Sequence, residues 1–248
     1  MSGSPGMARS LTAPFVLTGR HNRQFMSAAA PETFVYDPPM VPFLSVLHAD
    51  DDLLVVNKPS GLLSVPGKAP EHSDCIEGRA QETYRTARIV HRLDMDTSGV
   101  MILALHARAL RHLGLQFERR MTRKTYIADV WGHLEDDTGE VDLPLICDWP
   151  NRPKQIVSLE NGKSALTRWQ VLERRVRTTR VRLFPHTGRS HQLRVHMLSL
   201  GHPIIGDRFY AEGQALVASE RLALHAESLE LHHPTGGERT TFRAVCPF

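Results

Sequence analysis

Short apolar segments bounded by polar turn residues constrain the fold more than any other feature of the sequence. The runs at residues 53–56 and 100–105 are long enough for buried strands and too short for buried helices. Alternating apolar side chains predict three further strands, within residues 124–131, 165–171 and 181–183. Strands outnumber helices and do not alternate with them as repeated βαβ units, so we predict a mixed α+β domain.

Two segments have the periodicity of amphipathic helices. Leu110, Leu113, Phe117 and Met121 recur at spacings of three and four residues, which predicts one apolar helix face. Residues 188–201 predict a turn followed by a second helix, with Gly201 as its C-terminal cap. The polar stretch up to about residue 87 and the proline-rich stretch at 143–155 predict irregular loops.

Length and composition indicate one sizeable globular domain. A chain of 248 residues with 41% hydrophobic content can bury a core, and we place the domain at residues 41–248. Residues 1–40 are predicted to be a disordered extension. Three widely spaced cysteines favour neither a disulfide framework nor a zinc site, which indicates a reducing compartment, the cytoplasm. No apolar run approaches the roughly 18 to 20 residues that cross a bilayer.

Positive charge is concentrated in one part of the chain. The formal net charge is only +3, yet residues 168–194 contain eight arginines and a single acid, Glu173. Such clustering is typical of a protein that binds a phosphate backbone. The alternative is a pair of strands whose basic side chains are simply solvated.

The densest polar cluster is the segment from His91 to Gly99, directly before the run at residues 100–105. A polar surface turn is one interpretation, because Asp, Thr, Ser and Gly all favour turns. A second is a magnesium-dependent phosphatase loop, for which Asp94 and Asp96 have suitable spacing. Two features disfavour the phosphatase. A phosphatase loop should follow a long apolar strand, but His91 and Arg92 precede Asp94 here. A downstream acidic pair that would complete the metal site is also missing.

The third interpretation is a resemblance to a known family. His-Arg-Leu-Asp at 91–94 followed by Thr-Ser-Gly at 97–99 resembles the signature loop of the RluA family of pseudouridine synthases. Further matches occur before this loop, at residues 57–62, and after it, at residues 124–126 and 186–196. The resemblance implies the pseudouridine synthase fold: a mixed, largely antiparallel sheet with flanking helices and a central basic catalytic cleft.

The resemblance also implies the catalytic residues. Asp94 matches the essential aspartate, a nucleophile that attacks either the sugar or the uracil ring. Burial would raise the pKa of such a carboxyl group, and an adjacent cation would oppose this shift. Arg189 is expected to be that cation, paired with Asp94 through its planar guanidinium. Tyr126 matches the active-site tyrosine, which stacks on the target base and helps to move a proton.

Three more residues are expected at the substrate. Arg92 is expected to fill the gap left by a flipped base or to contact its phosphate. Leu193 is expected to pack beside the flipped uracil, whereas His91 is expected to support the loop through hydrogen bonds. An aromatic residue at position 126 or a leucine at 193 would also suit an ordinary core.

The resemblance implies a redox-neutral isomerase without metal or cofactor. Blocks at residues 141–155 and 201–210 resemble the dual-specificity branch of the family. This implies two RNA partners, a loop uridine of 23S rRNA and an anticodon-loop uridine of tRNA, bound by a monomer with no membrane association. The residues before the match are too few for an S4-type RNA-binding domain, so the catalytic domain is expected to capture the RNA. A noncatalytic ribosome-assembly factor remains an alternative.

Overall fold

The computed structural model describes residues 35–248. Its strands are β1 (Val46–Ala49), β2 (Leu53–Lys58), β3 (Arg88–Ile89), β4 (Ser98–Ala104), β5 (Arg123–Trp131), β6 (Thr138–Asp142), β7 (Leu145–Cys147), β8 (Gln155–Val157), β9 (Leu166–Arg174), β10 (Thr178–Pro185), β11 (Leu224–His232) and β12 (Arg239–Arg243). Its helices are α1 (Ile76–Thr83), α2 (Ala107–Glu118), α3 (Gln192–Ser199) and α4 (Gly213–Val217).

Ten of these strands form one sheet. The order is β1-β2-β4-β11-β5-β10-β9-β6, with β3 paired to β4 and β12 paired to β11. Every pairing is antiparallel except that of β4 with β11. Strands β7 and β8 form a separate hairpin. The predicted α+β class and the mixed, largely antiparallel sheet are thus confirmed.

Helices cover both faces of the sheet at β4, the strand that contains the apolar run at residues 100–105. All seven residues of β4 are buried. Val100 and Ile102 pack with α2, including Leu113, whereas Met101 and Leu103 pack toward α1. A strand covered by helices on both sides has no reason to alternate apolar with polar residues, which explains its continuous apolar sequence.

Helix α1 lies in a stretch that the sequence predicted to be an irregular loop. Only Ile76 and Ala80 contribute apolar burial, so no amphipathic pattern is visible in the sequence. Cys75 caps the helix, its Sγ accepting from the Gly78 N–H at 3.3 Å. Arg79 is buried because the carboxylate of Asp74 pairs with it at 2.6 Å. Tertiary contacts rather than local pattern stabilise this helix.

Two other boundaries differ from the prediction. The proline-rich stretch holds the short β7–β8 hairpin instead of being wholly irregular. Helix α2 ends at Glu118, and Met121 is 45% exposed beyond it. Gly201 does follow the last turn of α3, with a φ of 81° that suits glycine.

The compact unit begins at Tyr36, before the predicted domain boundary at residue 41. The Tyr36 hydroxyl donates to the Asp74 carbonyl at 2.7 Å and accepts from the Leu63 N–H at 3.0 Å. The Pro39 carbonyl accepts from Arg79 at 2.8 Å. These contacts tie residues 36–40 to the domain. The rest of the predicted disordered extension, residues 1–34, lies outside the described residues.

Most of the basic cluster at residues 168–194 is paired within the protein. Six of its eight arginines contact a carboxylate: Arg168 with Glu140, Arg174 with Asp137, Arg175 and Arg180 with Asp129, Arg182 with Glu227, and Arg194 with Asp207. The count of arginines therefore overstated the surface available to phosphates. Among residues 35–248, no helix is long and apolar enough to cross a membrane.

Candidate active site

The loop that carries Asp94 connects β3 to β4 and rests on the turn after β2. Lys58, fully buried at the end of β2, donates from Nζ to the carbonyls of Pro59, Leu62 and Met95 at 2.6–2.9 Å. Burial lowers the Lys58 pKa to about 7, although nearby carboxylates, including that of Asp94, oppose the shift. The Asn-Lys-Pro-Ser-Gly-Leu segment thus forms the support beneath the loop that carries Asp94.

Two more bonds hold the same loop. The Ser60 hydroxyl donates to the Asp96 carbonyl at 2.7 Å, and the Gly61 N–H donates to the Met95 carbonyl at 2.9 Å. The Thr97 N–H donates to the carbonyl of Asp94 at 3.1 Å, which closes a tight turn. These bonds to the carbonyls of Asp94, Met95 and Asp96 therefore hold the backbone from which the Asp94 carboxylate projects.

Gly99 allows the loop to enter the sheet. Its φ is 116°, and a Cβ there would lie 2.2 Å from the Ala226 carbonyl oxygen. This is the point at which β4 pairs in parallel with β11. The glycine of the signature loop is needed because two backbones meet without room for a side chain.

Arg194, in the first turns of α3, is the arginine that contacts Asp94. Its Nη1 lies 3.3 Å from Asp94 Oδ2. Its Nε and Nη2 bind the two oxygens of Asp207 at 2.7 and 2.6 Å. Asp207 is fully buried and Arg194 is 2% exposed, so this ion pair fixes the guanidinium beside the carboxylate.

The predicted pairing of Arg189 with Asp94 is wrong. Arg189 precedes α3 in the turn at 188–190, is half-buried, and donates from Nε to the Ser164 carbonyl at 3.1 Å. Arg189 lines the cleft, but its guanidinium bonds the Ser164 carbonyl and not Asp94. An arginine inside α3, facing a buried acid, can be held more firmly than one on an exposed turn. The sequence signals for Arg194 were its place within the matched motif at residues 186–196 and its position beside Leu193 on the predicted helix.

Tyr126 lies on β5 and lines the cleft with Asp94. Burial, followed by the charge of Asp94, raises the pKa of its phenol well above the usual value. The hydroxyl therefore keeps its proton at neutral pH. Leu193 is 7% exposed and lines the inner part of the same site beside Arg194. The structure thus brings Tyr126, Leu193 and Asp94 together in the lining of one pocket.

His91 and Arg92 have different environments. The His91 Nε2 accepts from the Ile102 N–H at 3.1 Å, and its ring stacks on Phe117 at 4.6 Å. Burial lowers its pKa to about 3, so the imidazole is neutral and acts as a fixed part of the loop. Arg92 is exposed, lines the cleft and makes no ion pair among residues 35–248.

The cleft around these residues has a volume of about 880 Å³. Its lining contains five cationic side chains: Arg92, Arg120, Lys124, Arg152 and Arg189. Asp94 and Glu118 are the acids in that lining. An open, mostly basic cleft with an aromatic residue beside a carboxylate suits a single-stranded or looped nucleic acid.

Asp96 does not share the direction of Asp94. Both of its carboxylate oxygens lie 3.0 Å from Arg208 Nη2. A phosphatase loop would direct the two carboxylates toward one magnesium ion and phosphate. The ion pair with Arg208 therefore disfavours the phosphatase interpretation.

Comparisons with known proteins agree with this site. Residues 52–199 match the family model described as RNA pseudouridylate synthase. The chain is 56% identical over 214 residues to the dual-specificity RNA pseudouridine synthase RluA of Escherichia coli strain K12, covering 86% of this chain and 98% of that protein. It is 54% identical over 218 residues to the protein of the same name from Vibrio vulnificus, covering 86% and 87%.

Solved structures give the same relationship. The human RNA pseudouridylate synthase domain containing 1 superposes with a TM-score of 0.71 at 30% identity, covering 86% of this chain and 87% of the human chain. A second human structure, RNA pseudouridylate synthase domain containing 4, gives a TM-score of 0.66 at 28% identity, covering 82% and 88%. Together with the motifs around Asp94, these matches show that the chain belongs to the RNA pseudouridylate synthase family.

Proposed function

We propose that the protein converts specific uridines of RNA to pseudouridine, with Asp94 as nucleophile. The observation that carries the proposal is the position of Asp94: its carboxylate lies in a basic cleft, 3.3 Å from Arg194, with Tyr126 in the same lining. A carboxylate can attack a nucleotide carbon much as it attacks the sugar in retaining glycosidases.

The chemistry is an isomerisation. The bond between uracil N1 and ribose C1′ breaks, and a bond between C5 and C1′ forms. The proton on C5 is lost and N1 gains one, so neither electrons nor heavy atoms enter or leave. The protein must therefore hold the detached base in place and supply a nucleophile, without any need for a redox cofactor or metal.

The target base must leave its stack to reach Asp94. We propose that it then stacks on Tyr126 and packs beside Leu193, both at the inner end of the cleft. Stacking on an aromatic side chain is worth about 1 to 3 kcal/mol, which offsets part of the cost of extrusion. Arg92, exposed at the entrance, occupies the gap in the RNA or binds its phosphate.

For substrates we propose a loop uridine of 23S rRNA and the anticodon-loop uridine of tRNA. The bacterial relatives are named as dual-specificity enzymes and are identical to this chain at more than half of the aligned residues. Loops with splayed bases suit recognition by shape and stacking rather than by groove contacts. We place the reaction in the cytoplasm, where these RNAs are found, and propose that the catalytic unit acts as a monomer.

Tritium release from C5 of uracil tests the proposal. Wild-type protein should release tritium from 23S-loop and anticodon stem-loop transcripts, whereas Asp94→Asn should bind both RNAs and release none. Asp96→Asn is the matched control, since it loses an exposed pair with Arg208 and should stay within about tenfold of wild type.

Other outcomes would change the assignment. Equal loss in the Asp94 and Asp96 variants would contradict a single nucleophile and favour a two-carboxylate mechanism. If wild-type protein binds both RNAs and releases tritium from neither, the enzyme assignment fails for these targets. A noncatalytic role in ribosome assembly would then be the better hypothesis.

A further inference from the structure

His191 occupies an unusual backbone conformation immediately before α3. Its φ is 53° and its ψ is 17°, in the left-handed region that few non-glycine residues adopt, although histidine is enriched there together with asparagine and aspartate. Its imidazole is 9% exposed and lines the cleft beside Asp94. Strained residues of this kind cluster at functional sites when the surrounding structure holds them in place.

Aromatic neighbours hold the His191 ring. Phe209 stacks on it with ring centroids 5.6 Å apart and planes inclined by 16°. Tyr210 meets its edge, and the Tyr210 hydroxyl lies 2.7 Å from His191 Nδ1. The ring is therefore fixed in both position and orientation.

The bonds of Tyr210 set the tautomer of His191. The Tyr210 oxygen already accepts from the Gln155 N–H at 2.8 Å, and the acceptor nearest to its own proton in this half-buried place is His191 Nδ1, at 2.7 Å. His191 Nδ1 is that acceptor, so in the neutral ring the proton lies on Nε2. The reverse tautomer would turn a lone pair of Nε2 toward the carboxylate of Asp94.

The Nε2 atom faces the nucleophile. It lies 3.9 Å from Asp94 Oδ2, the same oxygen that Arg194 contacts at 3.3 Å. Burial lowers the pKa of His191, so the ring is neutral at the pH of an ordinary assay. Hydrogen bonds at catalytic groups are often long without substrate and shorten in the complex.

We propose that His191 is a positioning residue for the pseudouridine synthase reaction: its Nε2–H, oriented by Tyr210, bonds Asp94 Oδ2 when RNA fills the cleft and fixes the attacking carboxylate. Arg194 is already bound to Asp207 through two shorter contacts, so it leaves Asp94 loosely held. A neutral N–H restrains the carboxylate without adding another charge. This inference rests on the proposed function.

Two substitutions separate positioning from a structural role. In His191→Gln the amide nitrogen reaches about the place of Nε2 and can still bond Asp94. In His191→Asn the amide stays near Nδ1 and can bond only Tyr210, although asparagine suits the left-handed backbone better. Positioning therefore predicts that the glutamine variant is the more active and the asparagine variant the more stable.

Single-turnover tritium release from an anticodon stem-loop, together with thermal unfolding, measures both properties. We expect His191→Asn to lose about 10- to 100-fold in the rate of the chemical step, the value of a hydrogen bond to a charged group, with unchanged RNA affinity. We expect His191→Gln to recover at least part of that loss. Activity that instead follows stability, with asparagine above glutamine, would overturn the proposal.

Nitrogen-15 NMR of the imidazole gives a readout that does not depend on turnover. We expect Nε2 of His191 to carry the proton in wild-type protein, and Tyr210→Phe to produce a mixture of tautomers. A proton on Nδ1 in wild-type protein would refute the tautomer assignment. If wild-type protein shows the expected tautomer but no activity on either RNA, the proposed function fails; if it is active and the two His191 variants match it, only the positioning role fails.

Discussion

Arg194 Nη1 lies 3.3 Å from Asp94 Oδ2, across 100 positions of sequence. The same guanidinium binds Asp207 through two contacts of 2.6 and 2.7 Å. Asp207 therefore orients Arg194, and Arg194 in turn places a charged donor beside the carboxylate of Asp94. A mainly structural ion pair and the proposed catalytic carboxylate share one side chain.

Replacing Arg194 should damage both fold and activity. Arg194→Ala leaves the fully buried Asp207 without its partner, which should cost about 3 to 5 kcal/mol in the free energy of unfolding. Arg194→Lys retains a charge but loses the planar fork, so it should fold better and still lose activity. Urea unfolding and tritium release measure the two effects. Arg189→Ala is the comparison, since that half-buried side chain bonds the Ser164 carbonyl rather than a buried acid, and its loss should change the free energy of unfolding by less than about 1 kcal/mol.

Tyr126 should contribute its ring to binding and its hydroxyl to the chemical step. Tyr126→Phe keeps the stacking surface and should retain RNA affinity, whereas Tyr126→Ala should weaken binding by about 1 to 3 kcal/mol. The raised pKa means that the phenol stays protonated as pH rises, so activity should show no loss from its titration between pH 7 and 9. Equal RNA affinity of the phenylalanine and alanine variants would rule out stacking.

Arg92→Ala should weaken RNA binding or base extrusion with little change in stability. The side chain is exposed and makes no ion pair among residues 35–248, so the folded domain loses no partner. Filter binding measures affinity, and fluorescence of a base analogue at the target position reports extrusion. Unchanged affinity, extrusion and turnover would together remove Arg92 from the site.

Gly99→Ala should destabilise the domain by more than about 3 kcal/mol. The new Cβ would lie 2.2 Å from the Ala226 carbonyl oxygen and 2.6 Å from its nitrogen, atoms that cannot turn away as a side chain could. Gly114→Ala in α2 is the matched control, because nothing lies within 4 Å of its added Cβ. That change should stabilise by about 0.5 to 1 kcal/mol, the helix preference of alanine over glycine. Thermal unfolding measures both changes: Gly99→Ala should lower the melting temperature and Gly114→Ala should raise it.

His233 should make stability depend on pH. Burial alone would lower its pKa, but bonds to the Thr235 carbonyl and Asp50, and the charges of Asp50 and Asp52, raise it above 6.5. A raised pKa in the folded state contributes stability that is complete below the unfolded value and is lost as pH rises through the folded value. His233→Gln should therefore lower the melting temperature more at pH 6 than at pH 9. An equal effect at both pH values would contradict this linkage.

Local patterns were enough to find the functional segments and much of the sheet. Residues of the motifs at 91–99, 124–126 and 186–196 line one cleft, and the motif at 57–62 supports the loop that carries Asp94. The apolar run before residue 105 became β4, and the three-and-four spacing became α2. Such signals are readable because the residues concerned are neighbours in sequence and share one periodic environment.

Only the tertiary structure determined which arginine contacts Asp94. Eight arginines occur between residues 168 and 194, and all have the same local chemistry. Their partners depend on which acceptors the fold brings near each one: the Asp207 carboxylate is brought to Arg194 and the Ser164 carbonyl to Arg189. Helix α1 could not be predicted from the sequence for the same reason. Its buried Arg79 is stabilised by the Asp74 carboxylate and by the Pro39 carbonyl, which lies before β1. Charge pairing is set by distance in space, which sequence spacing does not contain.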